Sequence, residues 1–146
     1  MQRASAHFRW GYTIVELALV LTIVGLISAG GGRALAHHLH RLAVHAAIAE
    51  AAGALARARD EALARHEVVS VRIDTARATL AVRVRGERLA LHALGHAHGV
   101  SLSTTRDSIA FDVRGLGYGA ANLTLVARRG GAVDTLVVSR LGRTRF

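Results

Sequence analysis

Between Tyr12 and Gly32 the chain runs for 21 residues with one charged side chain, Glu16. No other feature constrains it so tightly. A helix of about 20 apolar residues spans a bilayer, so this stretch is expected to leave the water, and any water-soluble domain must come from the residues beyond it. From Leu17 to Ala29 only Thr22, Gly25 and Ser28 interrupt the apolar run. Residues 1–11, MQRASAHFRWG, carry Arg3 and Arg9 and no acid, and Arg33 closes the segment. A basic flank before the span holds the start of the chain in the cytoplasm.

Three readings of this segment arise from the residues. It fits a secretory signal peptide, with the small residues Ala34-Leu35-Ala36 as a cleavage site. It also fits a plain single-pass anchor. The third reading starts from Glu16. A carboxylate within an apolar span costs on the order of 2.5–3.5 kcal/mol and calls for a partner, a cost that falls where the residue can reach the headgroups.

Gly11-Tyr12-Thr13-Ile14-Val15-Glu16-Leu17, followed by the apolar run, resembles the type IV prepilin leader. The resemblance implies that a membrane prepilin peptidase cuts between Gly11 and Tyr12 and methylates the new amine of Tyr12, which stands where Phe is more usual. It also implies that Glu16 pairs with the N-terminal amine of a neighbouring subunit during assembly. Opposite charges in a low dielectric attract strongly, which supplies the partner that Glu16 calls for. Loss of 11 residues, including Arg3 and Arg9, would leave 135 residues and lower the net charge from +9 to +7.

Residues 33–66 are rich in Ala and contain no Pro. Leu35, Leu39, Leu42, Ala46 and Ala49 follow the spacing of one helical face, and Val44, Ile48, Ala52, Leu55 and Ala62 form an adjoining stripe. The expectation is an amphipathic helix with one face for a sheet, continuing the apolar segment for about 55 residues, or roughly 80 Å. Gly30-Gly31-Gly32 is its weak point, each Gly costing about 1 kcal/mol relative to Ala, and a kink or local melt is expected there. Ala58-Arg59-Asp60-Glu61-Ala62 is read as a solvated helix end with Arg57–Glu61 and Glu61–Arg65 pairs, and no site is assigned to it.

After residue 66 the period changes to two. Strands are predicted around 69–73, 79–84, 89–91, 100–102, 109–113, 123–126 and 135–138, with a hairpin turn at Arg128-Arg129-Gly130-Gly131. A sheet of about 80 residues buries little by itself and needs the apolar face of the 33–66 helix. The fold class is therefore α+β and pilin-like: a long N-terminal helix, its first half membrane-spanning, packed on a C-terminal antiparallel sheet. Four regions result: 1–11 leader, 12–32 membrane and assembly helix, 33–66 amphipathic half-helix, 67–146 β-sheet domain.

The Ala-Arg-Asp-Glu-Ala helix end resembles the Ala-Arg-Ser-Glu-Ala stretch of the GspH/FimT family of pilin-like proteins. Arg114-Gly115-Leu116-Gly117-Tyr118-Gly119 and Ser139-Arg140-Leu141-Gly142-Arg143-Thr144-Arg145 resemble the last third of the same family, where a Gly-basic-x-basic element closes the final strand. The resemblance implies one of two machines: a minor pseudopilin of type II secretion, or a FimT-like minor type IV pilin that primes pilus assembly or captures DNA.

Composition excludes much else. All 19 basic residues are Arg, and neither Cys, Lys nor Pro occurs. There is accordingly no disulfide, no thiolate site or cysteine nucleophile, and no P-loop lysine. The glycines at 115, 117 and 119 lack a following helix and read as a loop. His92, His96 and His98 lie close together but with no acid in their segment, so they read as a mobile surface loop rather than a metal site. His37, His38, His40 and His45 lack the i, i+4 spacing of a helical zinc site and read as solvated. No nucleophile elbow or carboxylate pair stands out; the chain is read as a non-enzyme without cofactor or metal.

The remaining candidate is the basic tail. Residues 127–146 hold Arg128, Arg129, Arg140, Arg143 and Arg145 against Asp134. The hairpin and last strand are expected to bring them to one edge, where they would either bind a phosphate backbone or simply keep that edge soluble and unpaired. The resemblance to the FimT branch puts the DNA contact on Arg143 and Arg145, with the other three in support. The expected partners are the major and other minor pseudopilins or pilins, the prepilin peptidase and methyltransferase, and the inner membrane, with the C-terminal domain in the periplasm. Nucleic acid belongs to the alternative reading. Type II secretion is taken as the leading assignment.

Overall fold

A single helix, α1 (Ile14–Arg65), carries the N-terminal half of the chain. In the computed structural model the described residues are 12–118, 122–139 and 141–145. The helix starts at a capping box and ends at a left-handed cap. His66 has φ 54°, and the Glu67 N–H donates to the Ala62 carbonyl at 3.3 Å, the closing bond of a Schellman motif. No local melt interrupts the helix at 30–32: it passes through the three glycines. Glycine weakens a helix but keeps its N–H, and no proline removes a donor there.

The chain divides into two units, Met1–Ala36 and His37–Phe146. In the first, the large apolar side chains from Ile14 to Ile27 are 47–86% exposed. An 18-residue window of this helix is long and apolar enough to cross a membrane.

In the second unit the helix turns one stripe toward the β-structure. Val44, Ala47, Ile48, Ala51, Ala54, Leu55, Ala58 and Ala62 are buried, while Leu39 and Leu42 are not. Of the two stripes read from the sequence, the one with Val44, Ile48, Leu55 and Ala62 enters the core. Most of these buried positions are alanine, and side chains that small let the helix backbone approach its neighbours closely.

The strands are β1 (Val69–Asp74), β2 (Thr79–Val84), β3 (Glu87–His92), β4 (Ser101–Thr104), β5 (Ser108–Phe111), β6 (Gly117–Tyr118), β7 (Leu123–Arg129), β8 (Ala132–Val138) and β9 (Thr144–Arg145), with a short helix, α2 (Leu94–His98), between β3 and β4. They form two antiparallel sheets rather than one, ordered β3-β2-β1-β5-β6 and β4-β7-β8-β9. Their inner faces meet the helix in one core that includes Val71, Leu80, Phe111, Leu125 and Leu136. The β2–β3 turn has φ > 0 at both Arg85 (49°) and Gly86 (88°), the requirement of the tight hairpin turn whose twist matches the strands. The two-residue strands β6 and β9 are too short to show an alternating pattern, which is why the sequence does not announce them.

Candidate assembly terminus and arginine groove

At the start of α1, Thr13 and Glu16 cap each other. The Glu16 N–H donates to Thr13 Oγ1 at 3.2 Å, and the Thr13 N–H donates to Glu16 Oε2 at 3.5 Å. This is the reciprocal Thr-x-x-Glu arrangement that satisfies two orphan donors of a helix start. The second bond is long, and the Glu16 side chain remains exposed, so its charge has only a local, weak partner among the described residues. Tyr12, 77% exposed, precedes the cap directly. Gly11, the other side of the expected cleavage, lies outside the described residues, as does Arg140.

The described arginines of the tail, Arg128, Arg129, Arg143 and Arg145, do not gather at one place. In the β7–β8 ladder Arg128 pairs with Val133 and Arg129 with Ala132, whereas Arg145 of β9 pairs with Val137. The two groups therefore sit at opposite ends of β8, separated by about five residues, roughly 17 Å of strand. Arg129 is committed to structure: its Nη1 donates to the His98 carbonyl at 2.6 Å. The register follows from the burial of Ala132, Leu136 and Val138, and a hairpin cannot place both ends of one strand at one edge.

Arg143 and Arg145 instead line a groove of about 350 Å³ with Arg59 and Asp60 of the helix. Ser139 and Arg143 close the turn before β9, with Ser139 N–H donating to the Arg143 carbonyl at 2.8 Å. Gly115 (φ 70°) and Gly142 (φ 72°) pass over the Arg59 stem; a Cβ on Gly115 would lie 3.1 Å from Arg59 Nε. That Nε is buried and has no hydrogen-bond partner among the described residues. Three arginines and one acid thus line the same groove, a set suited to an anion with several acceptor oxygens. Arg59 is absent from the site residues expected on sequence grounds. It belongs to the helix end read as a string of intrahelical pairs. Of these, Glu61–Arg65 forms at 2.6 Å, and Arg57–Glu61 is not found among the described residues. Gly115 and Gly117 serve the turn after β5, where Asp112 Oδ1 accepts from the Arg114 and Leu116 N–H groups.

The histidine segment is also ordered differently from the expected mobile loop. Leu94 of α2 is buried, and the flanking histidines clamp a helix carboxylate. His92 Nδ1 lies 3.0 Å from Glu50 Oε1, and His98 Nε2 lies 2.8 Å from Glu50 Oε2. The hydrogen bond from His98, then that from His92, holds the Glu50 carboxyl below its ordinary range against a smaller opposing effect of burial. Sequence offered no route to this pairing, because its acid comes from a residue more than 40 positions away.

Comparison with known proteins gives the same outline. Residues 47–142 match the family described as type II transport protein GspH. No curated protein matches the sequence. Among solved structures, the type IV minor pilin FimU of Pseudomonas aeruginosa is 19% identical, covering 70% of this chain and 86% of its own, with a TM-score of 0.60. The minor pseudopilin EpsH from the Type 2 Secretion System of Vibrio cholerae is 15% identical, covering 70% and 94%, with a TM-score of 0.58. At these identities the two likenesses establish the pilin-like fold.

Proposed function

The chain belongs to the GspH family of type II transport proteins, a family of structural subunits rather than enzymes, and on that premise we propose that it is a minor pseudopilin of a type II secretion system. In this reading it is a subunit of the periplasmic pseudopilus that drives folded proteins across the outer membrane. The supporting observation is the extent of the family match, which runs from the helix through both sheets to the turn before β9.

Each part of the chain has a place in that machine. Cleavage between Gly11 and Tyr12 frees an amine that is then methylated. Residues 12–32 anchor the subunit in the inner membrane, and residues 67–146 stand in the periplasm. On assembly Glu16 gives up its long capping bond to Thr13 and takes the N-terminal amine of a neighbour. Opposite charges about 4 Å apart attract by about 4 kcal/mol even at an effective dielectric near 20, which exceeds the cost of holding one carboxylate in the span. The major pseudopilin and the other minor ones are the partners. The test is to shear filaments from cells that overproduce the pseudopilus and probe them for this chain. Its presence in the filament fraction supports the assignment, and its restriction to the membrane fraction contradicts it.

One observation favours a second reading, a FimT-like minor pilin that binds DNA: the groove lined by Arg59, Arg143 and Arg145 with Asp60 as its acid. Phosphate-backbone binding by arginines needs no sequence preference and weakens steeply with salt.

A further inference from the structure

The second unit begins at His37, and at the end where the chain enters it an apolar and a cationic surface lie side by side. Leu39 and Leu42 are 53% and 54% exposed. They belong to the leucine face read from the sequence, which the core leaves out. Next to them, His38, Arg41, Leu42 and His45 of α1 and Val133 and Asp134 of β8 line a groove of about 450 Å³. The β7–β8 turn closes on the same part of the helix, since a Cβ on Gly130 would lie 2.5 Å from His40 Nδ1. Arg128 stands opposite Val133 in the ladder and is exposed.

The charges there are unbalanced. Asp134, the acid in the groove, is already engaged: its Oδ2 lies 3.2 Å from His45 Nδ1, and its Oδ1 accepts from the Thr135 N–H. Among the described residues no acid pairs with Arg41 or Arg128. We propose that this groove docks the headgroup of an anionic phospholipid, with Arg41 and Arg128 on the phosphate and Leu39 and Leu42 against the acyl boundary. The inference rests on the membrane-anchored reading above.

Three observations select a lipid surface. Exposed leucines beside unpaired arginines are the pairing that an interface accepts, apolar surface in the acyl boundary and guanidinium among the phosphates. A purely acidic protein partner would leave the leucines in water. Finally, Leu39 stands seven residues beyond Gly32, the end of the apolar segment. At the helical rise of 1.5 Å per residue those seven residues span about 10 Å.

The test uses the full-length chain in lipid nanodiscs of neutral phosphatidylcholine, or of phosphatidylcholine with phosphatidylglycerol. The protein has no cysteine, so Val133→Cys offers a unique site for a spin label whose accessibility to oxygen and to a nickel chelate reports depth. The expected result is a shift toward the lipid in phosphatidylglycerol discs, abolished in Arg41→Glu/Arg128→Glu and reduced in Arg41→Gln. A label equally aqueous in both lipids overturns the inference. So does reversal of the shift by inorganic phosphate, which would make this a free-anion site. Shielding that grows with protein-to-lipid ratio rather than with anionic lipid would mark a neighbouring subunit as the occupant and overturn it too. Failure of the chain to insert into either disc would instead remove the anchored reading on which it rests.

Discussion

Glu16 and Thr13 cap each other across the first turn of α1, with Thr13 Oγ1 3.2 Å from the Glu16 backbone nitrogen. The carboxylate thus has two separable roles: it caps its own helix, and it carries the charge proposed to receive a neighbour's amine. A capping box accepts Gln as well as Glu, so Glu16→Gln keeps the first role and removes the second. We expect Glu16→Gln and Glu16→Ala both to be processed to the mature length and both to fail in filament incorporation. Incorporation of Glu16→Gln at wild-type level would reduce Glu16 to a cap.

Processing has its own signature. Substitution of Gly11 by a β-branched residue such as Val is expected to leave the chain at 146 residues, where the wild type yields a 135-residue product. Mass spectrometry of the membrane fraction distinguishes the two. A product of mature mass from the variant would place the cut elsewhere, including the Ala34-Leu35-Ala36 site of the signal-peptide reading.

Helix packing predicts unequal costs for leucines on one helix. Leu55 is 1% exposed and Leu39 53%. Leu55→Ala should cost about 2–5 kcal/mol through reduced burial and a residual cavity, and Leu39→Ala less than about 0.5 kcal/mol, as at other surface positions. Denaturant titration of the two variants checks this, and equal losses would mean that the buried stripe has been misplaced.

The Glu50 clamp makes stability depend on acid pH. Its carboxyl titrates lower in the folded chain than its ordinary value of 4.5, because His98 and His92 bond to it. The folded state therefore binds fewer protons, and the clamp's contribution is present above pH 4.5 and disappears as pH falls through the folded value. Glu50→Gln should lower stability by about 1–2 kcal/mol at neutral pH, less than a fully buried charged bond would give because the side chain is one-third exposed. The gap between variant and wild-type melting temperatures should narrow as pH falls below 4.5 toward the lower folded value. A gap that does not narrow anywhere below pH 4.5 would show that the carboxylate charge is not what holds α2.

If the arginine groove binds DNA, removing one phosphate-binding arginine should flatten the slope of log affinity against log salt by about 0.9. Arg143→Ala/Arg145→Ala is expected to weaken binding uniformly across sequences and to flatten the slope by roughly 2. An unchanged slope would return the tail to a solubilising role.

Much of this fold was legible because its periods are clean. The apolar run, the 3–4 spacing of Val44, Ile48 and Leu55, and the alternation of Val69, Val71 and Ile73 each name their element. Other features depend on tertiary choices that periodicity does not encode. Both helix stripes were apolar, and only packing decided that the one with Ile48, not Leu42, met the sheets. The strands divide into two sheets because β4 pairs with β7 and β5 with β1, long-range partnerships with no local signature. The proposed cleavage between Gly11 and Tyr12 and the proposed assembly role of Glu16 rest on a linear motif. The Arg59 groove and the Glu50 clamp were not, since each joins residues from distant parts of the chain.

The most direct measurement is export. In cells lacking this gene, the fraction of an exoprotein of the type II pathway retained in the periplasm should rise, and complementation with the wild-type chain, but not with Glu16→Ala, should restore release. Normal export from the deletion strain would contradict the pseudopilin assignment.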